Sequence, residues 1–196
     1  MHPTDVKRLL KRYGIEYVPF KYVEHLSELK RLKFPVAMKV YSEKIQHKTD
    51  VGGVVLNINT MEQAKKVFKR LKRKGEGVIV QQMDSGIETI IGAKYDKTFG
   101  HVVMFGLGGV FTEVFNDVSV RVCPIDKVEA MNMIKEIKAS KLFFGYRGMK
   151  VDVRLLASTI AKVSRMVEAE FIKELDFNPV FVDEKGARVC DFRVVV

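Results

Sequence analysis

Residues 36–58 carry side chains whose types and spacing suit the handling of a phosphate group. Lys39 lies within a short apolar run, where an ammonium group needs an anionic partner because burying an unpaired charge is costly. His47 follows in a polar segment, and Gly52 and Gly53 then lead into a second run of β-branched residues. Backbone amides beside glycine can approach a phosphate closely, and a neutral imidazole is a nucleophile. The pattern predicts a strand, a loop and a strand that bind phosphate around a nucleophilic histidine.

His47 also has a plainer interpretation, because most loop histidines are simply exposed to solvent. Its neighbours favour the functional one: Lys48 and the two glycines follow closely, and a lysine-bearing strand precedes it. Cationic neighbours would offset the charge of a transferred phosphoryl group. The other histidines, His2, His25 and His101, have no such setting.

The end of the chain predicts a β-hairpin whose turn is residues 183–186, with glycine last. A turn centred there places Asn178 opposite Asp191, and Asp176 opposite Arg193. Side chains alternate between faces with a period of two, so these four polar residues are expected to share one face. Four apolar residues are expected to continue that face toward the turn: Val180, Val182, Ala187 and Val189.

The pair Asn178 and Asp191 is therefore a candidate metal site. A carboxylate oxygen and an amide oxygen, beside phosphates, suit Mg²⁺. The alternative is a salt-bridged strand end in which Arg193 pairs with Asp191. A β-bulge in the hairpin would break the predicted register.

Other candidates carry weaker signals. Gly108 and Gly109 lie in a glycine-rich connection that could bring amides to a phosphate or to a partner, although tight turns use glycine as readily. Glu88 is a carboxylate on a mostly apolar strand, where it could be solvated or could serve the histidine, the nucleotide or the metal. Arg121 could bind an anion or belong to an ion network, and Arg147, between glycines, could be an anion contact or a surface turn.

Composition excludes several classes. The 196 residues have a net charge of +10, and no apolar run approaches the ~20 residues of a membrane helix. The start of the chain lacks the apolar core of a signal peptide, and the two cysteines have no metal or redox spacing. Basic residues cluster on the outward face of a helix at 65–74 without interleaved aromatic residues, which argues against nucleic acid. We expect a soluble cytoplasmic protein that binds neither membrane nor nucleic acid.

Strand and helix patterns predict an α+β fold in two lobes, residues 1–83 and residues 84–196. Three helices are expected to begin at the capping residues Thr60, Asp126 and Asp152. Strand-like runs follow residue 84, one of them from Val110 to Phe115.

Several motifs together identify a family. They are His47-Lys-Thr-Asp-Val-Gly-Gly-Val54, Phe34-Pro-Val-Ala-Met-Lys39, Glu88-Thr-Ile-Ile-Gly92, Val103-Met-Phe-Gly-Leu-Gly-Gly-Val110, Gly145-Tyr-Arg-Gly148, Glu174-Leu-Asp-Phe-Asn-Pro179 and Asp191-Phe-Arg193. With these, nearly the whole chain resembles the β subunit of ADP-forming acetate–CoA ligases (NDP-forming acyl-CoA synthetases), an ATP-grasp family.

The resemblance implies an ATP-grasp fold, two α+β lobes clasping ATP or ADP with Mg²⁺. It also implies a separate CoA-binding α subunit in an α2β2 hetero-oligomer. The reaction would be acyl-CoA + ADP + Pi ⇌ carboxylate + CoA + ATP, with a phosphoryl group relayed through a histidine that matches His47. Lys39 matches the lysine on the nucleotide phosphates, Asn178 and Asp191 match the Mg²⁺ ligands, and Glu88 matches a carboxylate near the nucleotide.

The resemblance further implies a nucleotide-binding set of Lys39, Val40, Ser42, Gly52, Gly53 and Gln82. Contacts to a partner or to phosphate are expected from Gly108, Gly109, Arg121 and Arg147. Two alternatives remain open. A self-contained ATP-grasp carboxylate–amine ligase would not need His47, and a non-catalytic interaction subunit would not need Lys39, His47, Asn178 and Asp191. The acyl group is expected to bind on the α subunit.

Overall fold

The computed structural model of this protein describes residues 1–42, 44–45, 48–108 and 117–196. They divide into two compact units, one made of Met1–Tyr17 with Ser85–Val196 and the other of Val18–Asp84. Both units combine helices with antiparallel sheet, so the predicted α+β class is confirmed.

The Val18–Asp84 unit is built on a four-stranded antiparallel sheet with the order β1-β4-β2-β3. Its elements are β1 (Phe20–Val23), β2 (Val36–Tyr41), β3 (Val54–Ile58), α2 (Met61–Lys72) and β4 (Gly77–Gln82). Helix α2 covers one face of this sheet, and its Ala64, Phe68 and Leu71 are buried there with Met38 and Val40. Strand β2 is central, and its pairing with β4 runs without interruption from Val36 to Tyr41.

The other unit holds a six-stranded sheet in the order β10-β8-β5-β6-β7, with β9 paired to β8. Its strands are β5 (Ile87–Asp96), β6 (Gly100–Leu107), β7 (Val118–Val122), β8 (Glu174–Asp183), β9 (Gly186–Val189) and β10 (Phe192–Val195). Its helices are α1 (Pro3–Arg12), α3 (Lys127–Glu136) and α4 (Val153–Ala169), with two 3₁₀ helices, Lys138–Phe143 and Tyr146–Gly148. The predicted strand from Val110 to Phe115 lies outside the described residues.

Helix α1 packs with the C-terminal unit. Its Val6, Leu9 and Leu10 are buried in the same core as α3, α4 and the six-stranded sheet. The prediction that residues 1–83 form one lobe is therefore wrong for residues 1–17, although the boundary near residue 84 agrees with the structure. The apolar face of α1 was visible in the sequence, but its partner is more than 100 residues away.

The hairpin register is as predicted. Asp183 pairs with Gly186, Val180 with Val189, and Asp176 with Arg193. Between β9 and β10 the amide of Asn178 donates to the carbonyl oxygen of Asp191 at 3.2 Å, so these two residues also lie opposite each other.

The predicted continuous face is wrong, because β8 carries a bulge against β5. Residues 178 and 179 together face the single residue Ile90, and the register shifts there. Core-facing positions consequently change from Leu175 and Phe177 to Val180 and Val182, while Asp176 and Asn178 are not fully buried. The polar residues Asp176 and Asn178 and the apolar residues Val180 and Val182 thus lie on opposite faces of the sheet. Asn178 and Asp191 still lie opposite each other.

Candidate nucleotide site

Lys39 lies in the middle of the central strand β2 and is only 5% exposed. Its neighbours Met38 and Val40 point into the core beneath α2, so alternation places Lys39 on the other face of the sheet. On that face it pairs across the ladder with Ile79, next to the pair formed by Ala37 and Gln81. The fold therefore holds a lysine in a largely buried position on this strand, where its positive charge favours an anionic ligand.

The two glycines shape a turn behind the histidine segment. Gly52 has a left-handed backbone (φ +58°), and its amide donates to the carbonyl of Thr49 at 2.9 Å. The Gly53 amide donates to the carbonyl of Lys48 at 2.7 Å, and its carbonyl accepts from the Val40 amide at 2.7 Å. Both glycine amides are thus used inside the turn. The sequence predicts that these amides bind phosphate, but the structure uses them within the turn, and the Gly53 carbonyl joins the turn to β2.

Gly53 tolerates no side chain at this place. A Cβ built there would lie 2.5 Å from Cγ1 of Val40 and 2.7 Å from the carbonyl oxygen of Lys48. Val40 therefore contributes a packing surface for the turn, with its own side chain fully buried.

Polar contacts fix both ends of the segment that contains His47. At its start, the Ser42 hydroxyl donates to the carboxylate of Glu76 at 3.3 Å. At its end, the Lys74 ammonium donates to the carbonyl of Val51. These roles are not evident from the sequence pattern, because Lys74 belongs to a basic cluster typical of a solvated surface. His47 itself lies outside the described residues.

Gln82 ends strand β4, and its side chain is exposed. Its amide donates to the carbonyl of Pro19 at 3.1 Å. The preceding Gln81 is 2% exposed on the Lys39 face, and its side-chain amide reaches the carbonyl of Val18 at 3.4 Å. Gln81 was not among the predicted site residues, although a buried amide beside Lys39 is a stronger candidate for orienting a ligand than the exposed Gln82.

Glu88 and Gly108 meet in the C-terminal unit. The Gly108 amide donates to the Glu88 carbonyl at 2.8 Å, and a Cβ on Gly108 would lie 3.0 Å from the carbonyl carbon of Glu88. The Glu88 side chain is exposed and lies on the sheet face turned away from the core, because Thr89 and Ile91 are buried on the other face. Gly109 lies outside the described residues.

Asn178 and Asp191 form the candidate metal pair. Asn178 is exposed, and Oδ1 of Asp191 accepts from the Phe192 amide at 2.9 Å, which orients the carboxylate. An amide oxygen and a carboxylate oxygen on facing strands are the hard donors that Mg²⁺ selects. Within the described ranges, no group of three or more His, Cys, Asp or Glu residues could hold a metal. A metal here would need ligands from elsewhere, such as phosphate oxygens, which fits Mg²⁺ bound together with a nucleotide.

Arg121 belongs to an ion network on α3. Its Nε donates to Glu129 at 2.6 Å, and its Nη2 donates to Glu136 at 2.8 Å. Hydrogen bonding to Glu129 and Glu136 raises the pKa of Arg121, while the Ser119 hydroxyl and the guanidinium lower the pKa of Glu136. The structure thus gives the ion-network alternative for Arg121 and not a free anion contact.

Arg147 lies in an exposed turn. Its guanidinium carbon is 5.3 Å from the centre of the Tyr146 ring, in a cation–π arrangement.

No helix in the described part of the chain is long and apolar enough to cross a membrane.

A family model described as an ATP-grasp domain matches residues 1–196. The chain is 45% identical to acetate–CoA ligase [ADP-forming] II of Archaeoglobus fulgidus, over 98% of this chain but only 30% of that protein. It is 40% identical to acetate–CoA ligase [ADP-forming] I subunit beta of Pyrococcus furiosus, over 98% of this chain and 90% of that subunit.

Among solved structures, it is similar to a dinucleotide-forming acetyl-coenzyme A synthetase 1 from Ca. Korarchaeum cryptofilum. The identity is 37% and the TM-score 0.86, over 100% of this chain and 92% of that chain. That protein is in complex with coenzyme A and Mg-AMPPCP, with its phosphohistidine segment pointing towards the nucleotide binding site.

Proposed function

Because this chain belongs to the ATP-grasp family, and within it to the family of the β subunits of ADP-forming acetate–CoA ligases, we propose that it is the nucleotide-binding subunit of an ADP-forming acyl-CoA ligase. It transfers a phosphoryl group between His47 and ADP. The observation that carries the proposal is the placement of Lys39, a nearly buried cation in the central strand of the Val18–Asp84 unit.

Lys39 binds the nucleotide phosphates. It lies on a strand that pairs regularly with β4 and whose other face is packed against α2, so its backbone is held in place. Because the residue is only 5% exposed, its attraction to phosphate oxygens is screened less than that of a surface lysine. Gln81, buried beside it, orients the ligand with its amide.

Asn178 and Asp191 hold Mg²⁺ together with the phosphates of the nucleotide. When bound, the ion neutralises phosphate charge and aligns the transferred group. Glu88, on the outer face of the six-stranded sheet, is a second carboxylate near the nucleotide and serves to orient the loop histidine.

His47 is the phosphoryl carrier. In the direction of ATP formation, the bond between phosphorus and the imidazole nitrogen breaks as a terminal oxygen of ADP bonds to the same phosphorus. The phosphoryl group arrives at His47 from a site on the CoA-binding chain. The anchors of the segment, Ser42 on one side and the turn at Gly52 and Gly53 on the other, keep its ends on β2 while the histidine serves both sites.

The test is incubation with γ-labelled ATP and Mg²⁺, for the unmodified protein and for His47→Ala. We expect acid-labile, base-stable label on the unmodified protein and none on the variant. The variant should bind Mg²⁺-ADP as the unmodified protein does. An unmodified protein that binds nucleotide but takes no label, even with a CoA-binding α subunit present, would contradict the proposal.

A further inference from the structure

The segment from Phe144 to Lys150, named here the 144–150 turn, follows the 3₁₀ helix Lys138–Phe143 in the C-terminal unit. All seven of its residues are exposed. The chain just before it is firmly held: Phe143 is 2% exposed and its ring centre lies 5.9 Å from that of Phe105. The turn is therefore an outward projection from a fixed base.

The backbone of the turn is unusual. Gly145 and Gly148 have left-handed conformations (φ +90° and +77°), and a Cβ at either would meet nothing within 4 Å. Between them Arg147 has φ +48°, which is unfavourable for a residue with a side chain. Such backbone strain concentrates at functional sites. Here it presents Tyr146 and Arg147 to open space.

The exposed side chains are of the kinds that dominate protein interfaces. Phe144, Tyr146 and Met149 are 50%, 44% and 43% exposed, and Arg147 stacks on Tyr146. Aromatic residues, Met and Arg are enriched in interfaces, and Tyr and Arg are frequent hot spots. Beside the turn lies an open depression of about 340 Å³ lined by residues 150–154 and Glu184.

The charge around the turn is mostly positive. Residues 138–154 contain five basic side chains and one acidic side chain, Asp152. The Asp152 carboxylate is occupied at the start of α4, where it accepts from the amides of Arg154 and Leu155. A complementary partner should therefore have an apolar recess that receives the aromatic side chains, with acidic groups around it that pair with the basic ones.

We infer that the 144–150 turn docks the chain onto the CoA-binding polypeptide that completes the ligase, an inference that rests on the proposed function. This chain spans 30% of the Archaeoglobus relative, and its Pyrococcus relative is a β subunit, so we expect a further polypeptide to bind this chain. A second copy of this chain fits less well, because the same basic turn and a net charge of +10 would oppose it.

The experiment measures binding of the source organism's purified CoA-binding α subunit by titration calorimetry. The variants are Tyr146→Ala and Arg147→Glu, and the matched control is Arg165→Glu, an exposed arginine on α4 in the same unit. We expect each turn variant to raise Kd by tenfold or more and the control by less than twofold. Higher salt should weaken the unmodified complex. Thermal unfolding should be unchanged within about 2 °C, because the turn packs against little.

Several results would overturn the docking inference. They are no complex at all, equal effects of turn and control variants, or sedimentation showing a dimer of this chain that the turn variants dissociate. Labelling of His47 by ATP needs no docking surface, so it tests the proposed function separately. If His47 is labelled but the α subunit does not bind through the turn, only the docking inference is contradicted. If the α subunit binds through the turn but His47 is not labelled, the proposed phosphoryl transfer is contradicted and the docking surface is supported.

Discussion

Strands β2 and β8 place candidate nucleotide contacts in opposite ways. β2 pairs with β4 without interruption, so simple alternation puts Met38 and Val40 in the core and Lys39 on the other face. β8 is interrupted by the bulge at residues 178–179, so Asn178 lies on the face opposite to Val180 and Val182, which are buried. The regular pairing with β4 thus fixes a buried lysine, while the irregular pairing with β5 exposes a candidate metal ligand. The two groups should respond differently when each is altered.

The largest effect is expected from Lys39→Met, which keeps the stem and removes the charge. Charged hydrogen bonds contribute roughly 1.5–3 kcal/mol or more when their partner is left unpaired. We expect the Kd for ADP to rise by roughly 100-fold, both with Mg²⁺ and with EDTA. Titration calorimetry measures this, with exposed Lys66→Met as the control. If Lys39→Met weakened binding only with Mg²⁺, Lys39 would act through the metal as Asp191 is expected to, and the proposed difference between β2 and β8 would be wrong.

Asp191→Asn should weaken Mg²⁺-ADP binding by about tenfold, or about 1.4 kcal/mol. The substitution retains shape and hydrogen bonding but removes the anionic ligand of the metal. In EDTA the affinity should change by less than twofold. Equal weakening under both conditions would show that Asp191 does not ligate the metal.

Gly53→Ala tests how the turn is seated on β2. The added methyl group collides with Val40 and the carbonyl of Lys48, so we expect a loss of about 2–3 kcal/mol in the free energy of unfolding. Gly100→Ala is the comparison, since its φ of +75° is strained but nothing lies within 4 Å, and about 1 kcal/mol is expected. Urea denaturation measures both. If the two variants lost similar free energies of unfolding, the turn would be able to shift and accommodate the methyl group.

A smaller effect concerns the tip of the hairpin, where Arg188 makes two contacts to Asp183, at 2.8 and 2.9 Å. Hydrogen bonding to Arg188 lowers the pKa of Asp183 below its ordinary value. The lowered pKa means that this stability is present above about pH 4 and is lost as pH falls further, through the folded-state pKa. Asp183→Asn should therefore cost about 1 kcal/mol at pH 7 and less at pH 3, by urea denaturation. A cost that does not depend on pH would contradict the assignment.

Local signals predicted the local structure well. Thr60, Asp126 and Asp152 each cap a helix, because a side chain that binds an amide two or three residues away needs no distant partner. The hairpin register was predictable for the same reason, since the turn alone sets it.

Distant contacts were not predictable. The bulge that reverses the hairpin faces occurs in the pairing of β8 with β5, about 90 residues earlier. The core residues that α1 packs against lie mostly in the second half of the chain. In the site, Lys39 was evident from its apolar neighbours, whereas Gln81 and Lys74 look like ordinary polar residues until the fold positions them. The roles of Lys39, Asn178 and Asp191 stay predictions until binding is measured.

The most direct measurement is a chase of the phosphorylated protein. Protein carrying labelled phosphate would be freed of nucleotide and mixed with unlabelled ADP and Mg²⁺, and the products would be separated by chromatography. If His47 passes its phosphoryl group to ADP, the label appears in ATP as it leaves the protein, and far more slowly in Asp191→Asn. Label that stays on the protein, or leaves only as inorganic phosphate, would contradict the assignment of this chain as a phosphoryl-transferring subunit.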